Sequence, residues 1–589
     1  MRTLTVALAM VPAFAFAFGS RNGEVVFMMY RQPKLLAIQV VGWLLVLLYA
    51  WWRRDAFVTI VRGLGRDPLP ALLVAFVGLL ALSSVWATVR WYSLYELLQW
   101  VVLLVVFLTL VEWGRDDDAV RSDVVAGMVA AMAVATGLGL VQLHWKIPFL
   151  SPIDPQFGVE NPSIMGYKNP MAQALLAQVY LLAFLALGRR SSGRGRAIRG
   201  GLVALLVVEL VYLGSLQSRA VYTALILTGL PLAVVLVWRS LRERRATAAL
   251  VLLAVACAFI IGVAVVPGAR DRIASIGDVL GSGLDILGED RLVYFSNTLV
   301  MVRDFPFGVG LGNWQVEYPV YRSHGRGVAF SEEMQVRRAH SDPVQFLGEA
   351  GWQGLGLWLA LIGAGVLMSW GRARRDGDEL SLFLGFQICA VAIAGTFDYV
   401  MDLPYGKLEV VLLLGLAAAG QPAAAAPRSS RRSRAVPVVL TVLAALSVGY
   451  AWALTQRVRT AAMIRETYDR SMLAAAEPAD LTSDQQAGVD ELDTLGRRFD
   501  AGIGQDKTFH KDLLLLAHSA WLGGEPDRAA RLAGRSLRLQ PYYPNALRFL
   551  AMLYEVTNPA LAARYAATYD DVLNRATEGL DVEYPPLPE

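Results

Sequence analysis

The sequence predicts an all-α protein that consists of a polytopic membrane helical bundle and a C-terminal α-solenoid. The amino-acid composition and the mean hydropathy predict the bundle. Of the 589 residues 55% are hydrophobic and 18% are charged, and the mean hydropathy is +0.45, which lies outside the balance of soluble globular proteins. A third observation predicts the solenoid, because an Ala-rich, charged segment after residue 456 repeats a pattern of Leu and Ala at a spacing of about 34 residues.

About 13 apolar runs have, or approach, the length needed to cross roughly 30 Å of hydrocarbon. They lie near residues 5–19, 35–52, 69–88, 94–112, 124–143, 171–187, 202–216, 219–238, 247–266, 344–369, 379–397, 405–419 and 435–455. The first could instead be a cleaved signal peptide, since Met1-Arg2 precedes a short apolar run that ends in Ala-Phe-Ala-Phe-Gly-Ser. Cleavage would leave the rest of the topology unchanged.

The positions of the arginines predict the orientation of the bundle. They cluster in loops that all fall on one side of the membrane, near residues 53–66, 189–199, 239–245, 372–375 and 428–434. Short loops rich in Lys and Arg stay in the cytoplasm. We therefore expect the polar loop 267–343, the loop 144–170 and the segment after 456 to face the periplasm of a bacterial inner membrane. This divides the chain into a membrane domain, 1–455, and a periplasmic helical domain, 456–589.

Composition also argues against several kinds of ligand. The net charge of +4 comes mostly from arginines in the predicted cytoplasmic loops, so we expect no nucleic-acid partner. Cys257 and Cys389 both lie inside apolar runs, and no Cys or His spacing typical of a metal site accompanies them. We expect no disulfide framework, no bound metal and no cofactor.

The repeated Leu and Ala pattern of the C-terminal segment has the period of a tetratricopeptide repeat. Gly523-Gly524-Glu525-Pro526 supplies a turn between two helices, and Pro541 closes the first unit. Two units are fewer than such stacks need, so we expect residues 460–510 to add helices. The matching pairs are Leu513 with Leu547, Leu516 with Leu550, Ala517 with Ala551, Ala529 with Ala563 and Ala533 with Ala567. Either the domain docks a partner or the emerging product, or it is a helical cap without a specific ligand.

The residues that suit chemistry lie at the predicted periplasmic face. His340 follows Arg338 just before a membrane-length apolar run, and imidazole titrates near neutral pH, which suits proton transfer. Arg219, Arg291 and Arg338 lie at the same face, and a guanidinium binds phosphate through a rigid fork. In the alternative interpretation these arginines are interfacial anchors and His340 lines a helix start, where Ser341 and Asp342 cap the helix.

Two further features accompany these residues. The run 305–314, with glycines at alternate positions, predicts a tight turn that forms one wall of a substrate site. Glu349 and Asp398 are carboxylates near the same face, and they either orient His340, bind sugar hydroxyls or serve as buried polar helix contacts.

Taken together, these segments resemble the O-antigen ligase and polymerase family, membrane proteins that share a Wzy-type C-terminal domain. The resemblance spans about residues 70–420 and rests on the combined order of its motifs. They are Gly166-Tyr167-Lys168-Asn169, Ser218-Arg219-Ala220, Arg291 with Pro306-Phe307-Gly308-Val309-Gly310-Leu311-Gly312-Asn313, and Ala339-His340-Ser341-Asp342 followed by Gln345 to Gly354. Where family members often carry His-Asn, this chain has His340-Ser341.

The resemblance implies a GT-C-like membrane fold and transfer of a glycan from undecaprenyl diphosphate to an acceptor hydroxyl, without a metal. It implies that Arg219 and Arg291 bind the diphosphate and that His340 serves the acceptor. Lys168, Asn169, Arg338 and Glu349 would complete the substrate site. Direct displacement would invert the anomeric configuration.

Three acceptors remain open: the growing glycan, lipid A core, or a protein Ser or Thr. We favour polymerisation of O-antigen or exopolysaccharide, because a periplasmic repeat domain offers a place to meet export or chain-length proteins. The alternative from another class is a transporter or flippase. It would place charged residues near the middle of the spans, whereas here the arginines lie at span ends.

Overall fold

A computed structural model shows an all-helical chain, with no strand in the part that the structure describes. Those residues are 1–13, 23–53, 64, 67–145, 163–165, 167–188, 195–242, 289–322, 336–419, 435–478, 480–506, 508–574, 583 and 585–588. The predicted span 247–266 lies outside them, as do parts of the basic loops and of the loop 267–343.

Among the described residues, the N-terminal half forms nine helices. They are α1 (Arg2–Ala9), α2 (Gly23–Trp52), α3 (Pro68–Ser83), α4 (Arg90–Asp116), α5 (Asp118–Trp145), α6 (Lys168–Leu176), α7 (Val179–Leu187), α8 (Arg196–Ser215) and α9 (Arg219–Arg242). The long polar loop contributes α10 (Glu289–Asp304) and α11 (Trp314–Tyr321). The bundle is completed by α12 (Asp342–Arg375), α13 (Glu379–Phe397), α14 (Pro404–Ala419) and α15 (Ala435–Arg470).

The prediction of a polytopic helical membrane protein is confirmed. Within the described ranges, 9 helical stretches are long and apolar enough to cross a membrane, and Pro68–Ser83 is a shorter apolar helix. The predicted span 247–266 lies outside the residues that were searched, so this number applies to the described part of the chain. In the run 5–19 the described part forms the 8-residue helix α1 and a 3-10 turn, Val11–Ala13, and eight residues rise only about 12 Å.

The predicted span 171–187 is two helices rather than one. The break between α6 and α7 frees main-chain groups, and Gln387 of α13 satisfies them. Its Oε1 accepts a hydrogen bond of 2.9 Å from the Tyr180 N–H, and its Nε2 donates to the Leu176 carbonyl. A buried amide that bonds both sides of a break offsets the cost of the lost helical bonds.

Helix α12 bends sharply at Gly351, whose φ of 69° and ψ of −165° are not helical. The bend leaves the carbonyls of Gly348 and Glu349 free to accept bonds of 2.9 Å from the N–H groups of Val309 and Gly310. A Cβ at Gly351 would lie 2.2 Å from the Pro306 carbonyl oxygen, so the contact requires glycine. The kink therefore fastens the glycine-rich turn to the start of a membrane helix.

One end of the bundle is held by ion pairs between helix ends, and we call it the basic face. Asp116 pairs with Arg53 at 3.0 Å, and Asp378 pairs with Arg121 at 3.3 Å and with Arg372 at 3.1 Å. Helices α9 and α12 run toward this face, and α13 runs away from it. The opposite end, where α12 begins and α13 ends, is called the site face.

Helix α15 runs without a break through residue 456, so the boundary predicted there falls inside one helix. Beyond it lie α16 (Ser483–Asp500), α17 (Phe509–Leu522), α18 (Pro526–Leu539), α19 (Pro544–Tyr554) and α20 (Pro559–Asn574). Successive members of α16 to α20 pack against each other. The additional helices expected in 460–510 are present, and α17 turns into α18 at Gly524, whose φ is 76°. Assignment to the tetratricopeptide class stays a prediction.

These C-terminal helices rest on the site face of the bundle. The Tyr92 hydroxyl donates to the Leu539 carbonyl at 3.1 Å, and the Gln540 amide donates to the Gln315 carbonyl at 2.9 Å. On the bundle side, Gln32 donates to Asp506 at 3.1 Å. The helical domain and the long polar loop therefore share one face of the protein.

Candidate active site on the site face

His340 stands at the start of α12 in a strained and crowded position. Its φ of 50° is left-handed, a conformation that costs a non-glycine residue about 1–2 kcal/mol. The ring stacks on Tyr294 with centroids 5.9 Å apart and meets the edge of Tyr399 at 5.2 Å. Its side chain is 36% exposed, so packing fixes the imidazole while one edge stays open.

A buried carboxylate faces one nitrogen of that ring. Asp398 Oδ1 lies 3.6 Å from His340 Nδ1, and the Asp398 side chain is 1% exposed. The same oxygen accepts a bond of 3.0 Å from the Tyr399 N–H. A carboxylate beside Nδ1 favours the tautomer with a proton there, which leaves Nε2 as the basic nitrogen. At 3.6 Å the two atoms are too far apart for a hydrogen bond, so Asp398 lies in position to orient the ring without bonding it directly.

The interpretation of His340 as part of a simple helix cap is not supported. Ser341 is the N-cap residue of α12, but its side chain makes no capping bond. Asp342 turns away from its own helix, and its carboxylate accepts bonds of 3.1 to 3.3 Å from the N–H groups of Val400 and Met401. Asp342 thereby holds the loop between α13 and α14 against His340.

Arg291, in the first turn of α10, reaches the same loop. Its guanidinium donates to the carbonyl of Phe397, the residue before Asp398. The side chain is half-buried. Because a guanidinium has five N–H donors, this bond leaves donors that can bind an anion. Arg291 and His340 were predicted from separate motifs, and the structure brings both to the segment 397–399.

Arg338 occupies a supporting position. Its guanidinium lies 2.6 Å from Asp402 Oδ2 and 4.2 Å from the centre of the Tyr399 ring. Burial raises the pKa of the Tyr399 phenol, although the charge of Arg338 opposes this effect. Tyr399 therefore stays neutral between Arg338 and His340. These contacts place Arg338 on the far side of Tyr399 from His340, and they engage much of its guanidinium with protein groups.

A cluster of buried charges lies beneath Arg338, and we call it the ion cluster. Arg31 lies 3.4 Å from Glu96 and 3.5 Å from Asp402, and Lys407 pairs with Glu96. Arg31, Glu96 and Lys407 belong to α2, α4 and α14, so the cluster joins three membrane helices to Asp402 and Arg338. Removal of one member would leave a buried charge without its partner.

The glycine-rich turn was predicted to form a wall of the site, and the structure shows it as a brace. The Leu311 N–H donates a hydrogen bond of 3.1 Å to the Ser83 hydroxyl, and the Leu311 carbonyl accepts one of 2.6 Å from the Ser93 hydroxyl. Asn313 accepts a bond of 2.7 Å from the Val89 N–H. A Cβ at Gly310 would lie 2.6 Å from the Cβ of Ala87, so glycine permits the close approach.

Glu349 lies in the layer behind His340. Its carboxylate accepts a bond of 2.7 Å from the side-chain amide of Gln345, and the oxygen of that amide accepts a bond of 2.9 Å from the Ala339 N–H. Gln345 therefore links Glu349 to the residue before His340. This contact suits support of the strained segment, and a direct role of Glu349 in substrate binding stays a prediction.

A family model described as Wzy_C, O-Antigen ligase, matches residues 202–359. This segment is similar to O-antigen ligases. It contains five of the predicted site residues: Arg219, Arg291, Arg338, His340 and Glu349. Among curated proteins, no sequence matches this chain.

The matched segment ends before the loop that its residues contact. Phe397, Asp398, Tyr399 and Asp402 all lie beyond residue 359. Sequence reasoning named Asp398 but missed Tyr399, Asp402 and the other members of the ion cluster. A usable signal was present, because Glu96 and Lys407 are charges just inside apolar runs, where charge is rare without a partner.

Arg219, also in the O-antigen ligase segment, is the first residue of α9 and is exposed. The position of Arg219 along the bundle axis follows from the contacts of Tyr180. The Tyr180 N–H bonds Gln387 of α13, and the Tyr180 hydroxyl bonds Thr228 of α9. Thr228 follows Arg219 by nine residues and Phe397 follows Gln387 by ten, about 14 Å of helix in each case. Because α9 runs toward the basic face and α13 runs away from it, Arg219 lies near the level of Phe397.

Lys168 and Asn169 begin α6, outside the O-antigen ligase segment. Lys168 is buried and Asn169 is half-buried. Helix α6 packs against α9, α13 and α14, and Tyr167 is close enough to Tyr399 to contribute to the raised pKa of its phenol. The start of α6 therefore lies beside the loop that carries Asp398 and Tyr399.

Proposed function

We propose that the protein polymerises a surface polysaccharide, either O-antigen or exopolysaccharide. It transfers a glycan from an undecaprenyl diphosphate donor to a sugar hydroxyl at the site face. The match of residues 202–359 to the O-antigen ligase model supports an enzyme of the ligase and polymerase type in a multi-pass membrane bundle. The donor, the acceptor, the inner membrane and a periplasmic site face belong to the proposal.

One observation carries the proposal: Arg291 and His340 converge on the segment 397–399 from separate elements. A cation for a diphosphate and a base for a hydroxyl are the two groups that glycan transfer from a lipid diphosphate requires. Their order in the chain matches the predicted motifs, and the segment between them is held from three sides by Arg291, Arg338 and Asp342.

In the proposed reaction the acceptor oxygen attacks the anomeric carbon, and the bond from that carbon to the diphosphate oxygen breaks. His340 Nε2 takes the proton of the attacking hydroxyl, and Asp398 stabilises the imidazolium that forms. Arg291 and Arg219 bind the diphosphate as its charge grows, so no metal is needed there. Preorganised donors of this kind contribute about 2.7–4 kcal/mol each in related oxyanion sites. A single displacement inverts the anomeric centre.

The position of the helical domain favours a glycan acceptor. Its helices cover part of the site face and contact α11 through Gln540 and Gln315. A growing glycan that leaves this face would therefore pass beside the domain. We propose that export or chain-length proteins dock there, while membrane lipids surround the bundle.

The test is a size analysis of products from purified full-length protein given an undecaprenyl diphosphate oligosaccharide alone. The wild type is compared with His340→Asn, because asparagine tolerates a left-handed backbone better than alanine does. We expect a ladder from the wild type and loss of the ladder, by about 10²- to 10⁴-fold in rate, from the variant.

The other outcomes decide between acceptors. Consumption of donor only after lipid A core is added would identify a ligase, and consumption only after a protein acceptor is added would identify an oligosaccharyltransferase. Movement of intact donor across a vesicle membrane without transfer would identify a flippase. A fully active His340→Asn variant would overturn the assignment of His340.

A further inference from the structure

A short proline-rich segment that follows α20 in the sequence lies against α18 and α20 of the helical domain. We call Glu583 and residues 585–588 the tail. Pro585 is buried, and Leu587 packs against the apolar core of the helical domain. Three of these residues are proline, which fixes φ near −65° and favours the polyproline conformation. The tail is therefore stiff before it binds and loses little entropy when it docks.

The surface under the tail is shaped for it, and we call it the tail groove. On α20, the Tyr565 hydroxyl donates to the Pro586 carbonyl and Arg564 lies 3.4 Å from Glu583. On α18, Gly534 faces Pro588, and a Cβ there would lie 2.8 Å from Pro588 Cδ and 3.0 Å from its carbonyl oxygen. A larger residue at Gly534 would close the groove.

Tyr565 is held ready as a donor. Its side chain is fully buried, and its ring stacks on Tyr554 with centroids 6.0 Å apart and planes 8° apart. Burial also raises the pKa of its phenol, so the hydroxyl keeps its proton at neutral pH. A fixed donor beside a position without a side chain is how a groove recognises the main chain of an extended peptide.

The contacts that hold the tail are modest. Glu583 is largely exposed, and an exposed ion pair contributes little. The tail stays bound because it is tethered to α20, which gives it an effective concentration on the order of millimolar. A free peptide with the same contacts must compete with that tethered copy, so only a partner with added contacts or high local concentration displaces it.

We propose that the tail groove is a docking site for an extended, proline-rich segment of a partner protein, and that the chain's own tail occupies it in the resting state. The partner segment carries an acidic residue before its prolines, which meets Arg564, and a small apolar end, which meets Gly534. The site is separate from the glycan-transfer site, so it stands or falls independently of the proposed function.

The test measures fluorescence anisotropy of a labelled peptide, Val-Glu-Tyr-Pro-Pro-Leu-Pro-Glu, with full-length protein in detergent. A tail variant with Pro585→Ala, Pro586→Ala and Pro588→Ala makes the tethered tail more flexible and weakens its binding, without altering the groove itself. We expect this variant to bind the peptide at least about tenfold more tightly than the wild type does, because the tethered competitor is weakened. A peptide with its three prolines replaced by alanine is the matched control and should bind far more weakly.

Two groove variants complete the design in the tail-variant background. Gly534→Leu should abolish peptide binding. Tyr565→Phe keeps the stacked ring and removes only the donor, so it should weaken binding about three- to tenfold even if Gly534→Leu fails to fold. Equal binding by wild type and tail variant, no binding by the tail variant, or no effect of Tyr565→Phe would overturn the proposal. A wild-type dimer that the tail variant cannot form would also overturn it, in favour of tails exchanged between two copies.

Discussion

The site face and the stack of helices α16 to α20 place their charges in opposite ways. At the site face Arg31, Glu96 and Lys407 are buried and bonded to one another inside the bundle. Ion pairs between members of α16 to α20 lie nearer the surface, as Arg535 with Asp500 shows at 2.7 Å. The interior of the stack is mainly apolar, and its buried carboxylate, Asp512, pairs with Arg465 of α15 at 2.6 Å.

This difference separates a region arranged for chemistry from a region arranged for packing. Buried ion pairs contribute little to net stability compared with apolar side chains of similar volume, yet they fix the positions of the groups around them. The ion cluster and the left-handed His340 therefore indicate where the chain maintains geometry at the expense of stability. In the stack, the left-handed backbone positions are confined to turns such as Gly524.

The largest expected effect concerns two arginines of α10. Arg291 bonds the site loop and lies in the first turn, whereas Arg303 lies exposed in the last turn. Arg291→Ala should lower the transfer rate about 10²- to 10³-fold, because in the proposed reaction a donor to the leaving diphosphate is lost. Arg303→Ala should leave the rate unchanged. The measurement is the initial rate of product formation from the lipid-linked donor.

Arg291→Lys sharpens this test. Lysine keeps the charge but not the planar fork, so the variant should recover only part of the rate. If Arg291→Ala and Arg303→Ala behaved alike, α10 would be an interfacial anchor and the contrast between the two regions would lose its chemical meaning.

Much of the helical architecture is predictable because apolar runs determine which segments form membrane helices. Most of the runs that fall within the described residues coincide with helices of the structure. The break between α6 and α7 was not predictable, since it depends on Gln387 from a distant helix. The glycine kink of α12 was equally hidden, because the groups that make it favourable belong to the turn at Val309 and Gly310.

The sequence predicted the basic residues of the site but not the residues that they contact. Arg291 and His340 stand in recognisable sequence patterns at the ends of apolar runs. Their shared loop comes about 60 residues or more later in the chain, and Arg31 reaches Asp402 across 371 positions. Spacing carries no information at that separation, so only the folded chain shows that these residues meet.

The second prediction compares a buried acid with an exposed one. Asp402→Ala removes the partner of Arg338 and Arg31, and an uncompensated buried charge costs about 3–5 kcal/mol. Asp500→Ala removes the surface partner of Arg535 and should cost about 0–1 kcal/mol. Thermal unfolding in detergent measures both. Similar losses in the two variants would mean that the ion cluster is solvated and no different from the surface pairs.

The third prediction uses two glycines of α12. Gly351→Ala places a Cβ against the Pro306 carbonyl and forces a left-handed φ on alanine, so we expect a loss of about 1–3 kcal/mol. Gly363 lies in the same helix with no atom within 4 Å of a built Cβ. Gly363→Ala should be neutral or stabilise by about 0.5–1 kcal/mol. Equal melting temperatures for the two variants would show that the kink does not hold the glycine turn.

The smallest effect tests whether the packed stack has any response to pH of its own. His518 of α17 is partly buried, its Nδ1 lies 2.8 Å from the Tyr468 hydroxyl, and burial lowers the pKa of its imidazole. The unfolded chain, with an ordinary histidine pKa near 6.5, binds the proton more readily. Stability is therefore full above that pH and falls as the pH drops below it, by no more than about 1.4 kcal/mol per pH unit for one proton. His518→Gln should flatten this acid limb of the unfolding midpoint without changing the transfer rate. An unchanged limb would show that groups other than His518 determine the acid sensitivity.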